Sequence, residues 1–342
     1  MRLAVLTPRR FAVTLLGLLA LLVASALLGI ASGPSGLDLA AVRGAFAGDG
    51  DAVAADIVLR IRLPRVALAG VVGASLSVAG VLFQALLRNP LADPFILGIS
   101  GGAALGGICV LAFGAAVGVA QSAVPVAAFA GALGATALLF GITGFGGRVS
   151  TAGLLLTGVV FNAFASAAIV FIASLAGLAE GASIFLWLIG NLSGGDLRLA
   201  GGVGLFLAAG LACAFPLARG LNLLALGEEQ ASQLGVEVEW HKRILLLATS
   251  LMVGAAVAVS GLVGFVGLII PHLLRLVFGP DHRLLLPASA LAGAAFLVLC
   301  DTAARTLLPG RELPVGAITA LVGGPLFIAL LRRHHRTVYA RG

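Results

Sequence analysis

The stretch ILLLATSLMVGAAVAVSGLVGFVGLIIPHLLRLVF, residues 244–278, decides the fold. Apart from Arg275 it carries no charge, and its 35 residues are long for one membrane-crossing helix and short for two, because about 20 residues cross a bilayer. Ser260-Gly261, Gly264, Gly267 and Pro271 each weaken a continuous helix there. Whether the chain crosses once or twice in this stretch sets the orientation of everything after it.

Eight further apolar segments lie at about 11–31, 63–87, 95–117, 123–142, 150–175, 199–218, 284–304 and 313–331. Charge chooses between the two readings. With two crossings the total is ten and both termini share a side with 14 of the 21 Lys and Arg, from Arg2 through Arg88, Arg148, Lys242 and Arg283 to Arg341. The other side holds seven: Arg43, Arg60, Arg62, Arg65, Arg198, Arg305 and Arg311. With one crossing the later residues flip and the split becomes 10 against 11. Cytoplasmic loops carry the excess of cations, so the expectation is an all-α polytopic membrane protein. It has ten transmembrane helices, N-terminus and C-terminus in the cytoplasm, and one transmembrane domain over 1–342.

Composition agrees. The chain is 60% hydrophobic and 10% charged with a mean hydropathy of +1.15, whereas soluble domains carry about 25% charged residues. The net charge of +7 and pI near 10.8 do not point to nucleic acid, because the basic residues are scattered between apolar runs and form no continuous face. Cys109, Cys213 and Cys300 lie far apart in apolar stretches with no metal-ligand spacing. The apolar run after Arg9-Arg10 exceeds the roughly 7–15 residues of a signal-peptide core, so an uncleaved first span is expected. Forty-eight glycines suit a tight bundle in lipid, where small residues let backbones approach. Gly102 and Gly106 have GxxxG spacing and Gly73 with Ser77 the small-residue equivalent, although such spacings are frequent in a chain this rich in glycine.

Three polar places are not explained by topology. The first is Arg60-Ile-Arg62-Leu-Pro-Arg65 on the outer side, where Pro64 suits a helix's first turn. Arg62 and Arg65 then share a face at the helix start, against the dipole. They either snorkel to the interface or receive carboxylates from an external partner. The second is the segment of about 219–242, the longest polar stretch on the cytoplasmic side. Gly227 breaks it, Glu228 and Glu229 open a short helix, and Gly235 closes that helix in the left-handed conformation. Two short helices joined at Gly227 make a knob for a cytoplasmic partner, against the alternative of a plain solvated loop. The third is Gly261 to Arg275, followed by Gly279-Pro-Asp281-His282-Arg283. A Gly/Pro-interrupted span marks either a moving, substrate-lining element or a kinked structural helix. A lone His272 near a helix end reads as a hydrogen-bonder.

Absences decide as well. The only lysine, Lys242, follows His241, so no GxxxxGK[ST] phosphate loop exists and any ATP is bound by another subunit. Asp301 is the acidic residue best placed for a proton relay, and one residue is a poor relay. There is no catalytic triad or metal constellation in the sequence, so the chain is read as no enzyme.

Six strings in order, RLPR (62–65), RNPLADP (88–94), LALGEEQASQLGV (224–236), GFVGLIIPHLLRL (264–276), GPDHRLLLPASAL (279–291) and ELPVGAITALVGGP (312–325), resemble the iron-chelate, haem and cobalamin permeases of binding-protein-dependent ABC importers. The resemblance implies a homodimer of ten-helix subunits in the bacterial inner membrane. It also implies two ATP-binding cassette subunits holding ATP and Mg, and a periplasmic or lipoprotein substrate-binding protein. It implies that Arg62, Arg65 and Arg305 dock the binding protein. Leu226, Gly227, Glu228, Glu229, Gln230, Ala231, Leu234 and Gly235 would form the coupling helices in the ATPase cleft. Asn89, Leu91, Ser150 and Thr151 would line the cytoplasmic gate. The expected activity is import of an iron-siderophore, haem or cobalamin complex by ATP-driven alternating access, with no cofactor or metal on this chain. The alternative is an ion-coupled secondary transporter acting without an ATPase. An intramembrane enzyme would need a polar cluster at bilayer depth, which the sequence lacks.

Overall fold

A computed structural model of the chain describes residues 6–33, 39–48, 51–143, 150–308 and 310–339. Arg2, Arg148 and Arg341 of the charge count lie outside the described residues. α1 (Pro8–Ala31) and α2 (Leu39–Ala47) lead to α3 (Ala52–Asp56), which runs through a π-helical turn at Ile57–Arg62 into α4 (Leu63–Leu86). A 3-10 turn at Pro94–Leu97 precedes α5 (Ile99–Phe113), α6 (Val124–Thr143), α7 (Thr151–Leu175), α8 (Leu178–Ile189) and α9 (Leu197–Ala214). α10 (Ala218–Leu224), α11 (Glu228–Gln233), α12 (Val238–Ser260), α13 (Val266–Phe278), α14 (His282–Thr306) and α15 (Val315–Tyr339) follow.

Among the described residues, seven helical runs are long and apolar enough to cross a membrane: Pro8–Ala31, Ala52–Leu86, Gln121–Thr143, Thr151–Leu175, Leu197–Ala214, Val238–Ser260 and His282–Thr306. Four shorter apolar helices join them, Ile99–Phe113, Glu180–Ile189, Val266–Phe278 and Val315–Ala329. Three of these four fall on expected spans. The fourth, α8, belongs to no segment expected from the sequence. α5 is shorter than its segment because Pro94 starts a 3-10 turn and Gly98, at φ +81, delays the helix to Ile99.

The stretch 244–278 is two helices. α12 ends at Ser260, the backbone runs without helix to Phe265, and α13 begins at Val266. Gly261 (φ +64) and Phe265 (φ +69) both hold left-handed backbone, which stops a right-handed helix outright. A Cβ on Gly261 would collide with the carbonyl of Trp187, so only glycine fits the first corner. The chain then turns back: the far end of α13 meets the start of α1, where the Arg10 guanidinium donates to the Phe278 carbonyl at 2.8 Å. Pro271 sits inside α13 and its missing N–H frees the carbonyl of Gly267, four residues earlier. Gln84 of α4 donates its side-chain amide to that carbonyl at 3.4 Å and to Leu268 at 3.2 Å.

α4 is the centre of the bundle. It is apolar on every side and buried almost throughout, packed by α14, α12, α9 and α13, as an all-round hydrophobic helix must be. Its closest neighbour is α14, where Gly73 faces Gly293. A Cβ on Gly73 would strike the Gly293 carbonyl, and one on Gly293 would strike Ser77. Gly102 and Gly106 of α5 lie against α6 in the same way, both beside Gly131. The small-residue spacings therefore mark real crossings. At the periphery, α7 buries one narrow stripe, Leu154, Gly158, Ala165 and Ile169, and exposes Val159, Val160, Phe164, Val170 and Phe171. Such a surface suits lipid or another apolar helix, where no water has to be ordered.

Candidate functional site

Polar side chains gather at the two ends of the bundle. At one end, the sequence places Arg62 and Arg65 at a helix start, opposed to its dipole. The structure corrects this. The helix does not begin there, because α3 feeds through the π-helical turn into α4 without a break. Arg62 lies instead at the C-terminal end of α1, donating to the carbonyls of Ile30 at 2.7 Å and Ala31 at 2.8 Å. A cation there satisfies orphan carbonyls and complements the dipole.

Arg65 donates Nε to both oxygens of Asp301, at 3.0 and 3.1 Å, and a further nitrogen to Glu312 at 2.8 Å. Arg305, one turn after Asp301 on α14, donates Nε to Asp301 at 3.1 Å and its other nitrogens to Ser32 and Gly29 carbonyls of the α1 end. The three arginines that the sequence singled out are thus brought together. Their exposures are only 3%, 5% and 4%, with the shared Asp301 at 1%. Neither interface-reaching nor free, they tie α1, α4 and α14 together, Arg65 and Arg305 through the shared Asp301 carboxylate and Arg62 and Arg305 through carbonyls at the α1 end. Asp301 is held between two cations, Arg65 and Arg305. Arg60, by contrast, is an exposed arginine of this end, paired with Asp56 at 3.0 Å.

At the other end the 219–242 segment folds as two short helices. Gly227, at φ +127, breaks the chain between α10 and α11. Gly235 closes α11 at φ +86, with Val236 N–H reaching back to the Ala231 carbonyl at 3.0 Å, the hydrogen-bond pattern of a glycine-terminated helix. Ala231 is buried, while Leu226 and Leu234 stand 64% and 60% exposed. The buried ammonium of Lys242 anchors α11 by an ion pair with Glu228 at 2.5 Å, with Glu239 at 3.5 Å. Arg88 adds a looser contact to Glu228 at 3.5 Å. Lys242 was not singled out for this role, and nothing in its spacing to Glu228 announces it.

A groove of about 590 Å³ at this end is lined by Arg88, Ser150, Thr151, Gly227, Glu228, Glu229, Gln230, Glu239 and Lys242. It joins two expected groups, since Ser150 and Thr151 stand beside the residues of the knob. Ser150 caps α7 by accepting from the Gly153 N–H at 3.2 Å. Asn89 and Leu91 do not line the groove. Asn89 accepts from the Leu91 N–H at 3.0 Å, a tight turn just after α4. In the next turn, burial pushes the Asp93 carboxyl up, opposed by the Phe95 N–H that it accepts. Beside the knob, the Arg283 guanidinium holds Asp281 down at about 2, and Asn222 donates to the same carboxylate at 2.9 Å. Among the described residues no group of three or more His, Cys, Asp or Glu is placed to hold a metal ion.

The sequence profile of the FecCD transport family matches residues 21–333, which includes both ends of the bundle. The chain belongs to the FecCD transport family. Its FecCD relatives match it closely and over most of their length. It is 43% identical to the uncharacterized ABC transporter permease protein YvrB of Bacillus subtilis, over 97% of this chain and 96% of that one. It is 42% identical to the hemin transport system permease protein HmuU of Yersinia pestis, over 81% and 83%. With the cobalamin import system permease protein BtuC of Halobacterium salinarum the identity is 41%, over 81% and 73%. A solved chain described as a metal-chelate type ABC transporter in an inward-facing conformation superposes with a TM-score of 0.83 at 31% identity, over 93% of this chain and 98% of that one. This FecCD chain is a multi-pass membrane permease of the ABC-transporter kind, and ATP hydrolysis belongs to a separate subunit.

Proposed function

We propose that this permease carries an iron-siderophore, haem or cobalamin complex into the cytoplasm of a bacterium by ATP-driven alternating access. It would act in the inner membrane as one of two copies, with two ATP-binding cassette subunits and a periplasmic or lipoprotein binding protein. The observation that carries this reading is the division of polar groups between opposite ends of one apolar bundle, with a compact knob at one end and clustered arginines at the other. The substrate class follows the relatives that move hemin and cobalamin.

The topology in this reading has ten spans, with α5, α13 and α15 added to the seven long helices. The return of α13 toward the start of α1 supports it, as does the 14-to-7 split of cations. The 13 residues of α13 span roughly 20 Å, and the non-helical Gly261–Phe265 run before it supplies part of the remaining depth of a ~30 Å core. Both termini then lie in the cytoplasm with the 219–242 segment.

In this reading Leu226, Gly227, Glu228, Glu229, Gln230, Ala231, Leu234 and Gly235 enter the ATPase, the two exposed leucines filling its cleft. Ser150, Thr151, Asn89 and Leu91 form the cytoplasmic gate beside the knob, so movement of α11 is felt there directly. Arg62, Arg65 and Arg305 set a net positive end for the binding protein, three cations against Asp301 and Glu312. Glu312 is the half-exposed member and the one a partner's carboxylate would displace from Arg65. An ion-coupled transporter is disfavoured by the closed pairing of Asp301.

Co-purification tests the assignment of the knob. Leu226→Glu with Leu234→Glu is expected to release the cognate ATPase from the permease and leave binding-protein docking in place. Retention of the ATPase by that variant contradicts the coupling role.

A further inference from the structure

We infer that the knob end carries a binding site for a phospholipid with an anionic headgroup, between the start of α1 and the α9–α10 junction. The inference rests on the proposed placing of that end at the cytoplasmic leaflet. A cavity of about 490 Å³ lies there, lined by Leu6, Thr7, Pro8, Phe11, Phe215, Pro216, Ala218, Arg219 and Arg283. That volume falls within the ~300–1,000 Å³ of small-molecule sites.

Two chemistries meet in it. Leu6, Pro8, Phe11, Phe215 and Pro216 form an apolar wall, and Phe215 stands 47% exposed. Arg219 supplies an exposed guanidinium that makes no hydrogen bond or ion pair among the described residues. Arg283, the other cation, is neutralised by Asp281, to which its Nε donates at 3.0 and 3.1 Å and one Nη at 2.6 Å. Arg219 is therefore the cation of the cavity with no carboxylate paired to it among the described residues, and a phosphate diester is the anion its fork of donors fits.

Depth selects the lipid over a soluble anion. The cavity sits where two candidate spans terminate, Pro8 opening one and Phe215 following the last residue of another. An apolar wall at that level is in contact with acyl chains, and basic pockets between helices on the cytoplasmic side favour anionic headgroups. Arg219 is also the second residue of α10, which leads to the knob. An occupied site would steady the helix through which the ATPase acts.

Native mass spectrometry of the purified full-length chain tests this, with phosphatidylglycerol and phosphatidylcholine of the same acyl chains as probes. Retention of phosphatidylglycerol is expected to exceed that of phosphatidylcholine by about fivefold, the effect of one well-placed cation. Arg219→Ala should reduce it to the phosphatidylcholine level and Arg219→Lys should keep most of it. Arg198→Ala, an exposed arginine at the opposite end, should leave it unchanged. Millimolar inorganic phosphate should not displace the lipid. Equal retention of the two lipids, indifference to Arg219→Ala, an equal loss in Arg198→Ala, or displacement by phosphate would each overturn the site. Because retention is read on the isolated chain, its failure leaves the importer reading standing, and the reverse holds too.

Discussion

Arg65 on α4 and Asp301 on α14, 236 positions apart, share a two-oxygen ion pair while exposed by only 5% and 1%. Arg305 shares the same carboxylate, so Asp301 is the common counter-ion for two buried cations. Removing one member of a buried pair costs about 3–5 kcal/mol. Asp301→Asn leaves Arg65 with Glu312 alone and Arg305 with carbonyls but no carboxylate, whereas Arg65→Met leaves Asp301 with Arg305. Asp301→Asn is therefore expected to lower the unfolding midpoint in detergent more than Arg65→Met does. The reverse order would show that the carboxylate is not the hub.

The Gln84 side chain is explained by the carbonyl that Pro271 frees. Gln84→Leu leaves the Gly267 carbonyl unpaired in the core, at a cost of about 1–3 kcal/mol. Adding Pro271→Ala, which restores the N–H donor, should recover part of that loss in the same unfolding assay. Strict additivity of the two changes contradicts the link.

Asp281 is held at about 2, chiefly by Arg283 and with help from Asn222. Its unfolded carboxyl titrates near ~3.9, so its contribution to stability is complete above that pH and disappears as pH falls toward about 2. Asp281→Asn should lower the thermal midpoint at pH 7, and the difference from the unmodified chain should shrink as the medium is taken below about pH 4. A difference independent of pH excludes the ion pair as its source.

Lys242 anchors α11 through Glu228. Lys242→Met is expected to reduce ATP-driven uptake several-fold, with binding-protein docking unchanged because the arginines proposed for docking lie at the opposite end. Loss of docking in parallel with uptake would mean that the change acts on the whole fold.

Gly73→Leu drives a side chain into the Gly293 backbone, where neither helix can yield locally. Overpacking costs about 1–3 kcal/mol or more, and Gly134→Leu, on a helix face with open space, serves as the harmless comparison. Equal melting shifts for the two variants contradict the close α4–α14 crossing.

Much of this was legible in the residues. The interrupted pattern of 244–278 announced a break, whereas the spacing of Gly102 and Gly106, common in a chain with 48 glycines, located no contact and only the structure shows its crossing with α6. The knob at 219–242 was readable because Gly227 and Gly235 end helices by local chemistry. Three-dimensional pairing was harder to read. Arg62 and Arg65 looked outward-facing because their partners, the α1 carbonyls and Asp301, are remote in sequence, although the i,i+4 spacing of Asp301 and Arg305 was a usable sign. α8 escaped notice because a 12-residue helix is too short to register as a span. Lys242 was seen only as the wrong lysine for a phosphate loop, and its pairing with Glu228 depends on how α11 folds back on α12.

ATP-dependent uptake tests the central claim most directly. The permease is reconstituted in vesicles with its cognate ATPase and binding protein, and labelled ferric siderophore, haem and cobalamin are offered in turn. The account predicts accumulation of one of these only when ATP, the ATPase and the binding protein are all present. Accumulation by vesicles holding this chain alone, driven by an imposed proton or sodium gradient, would contradict it.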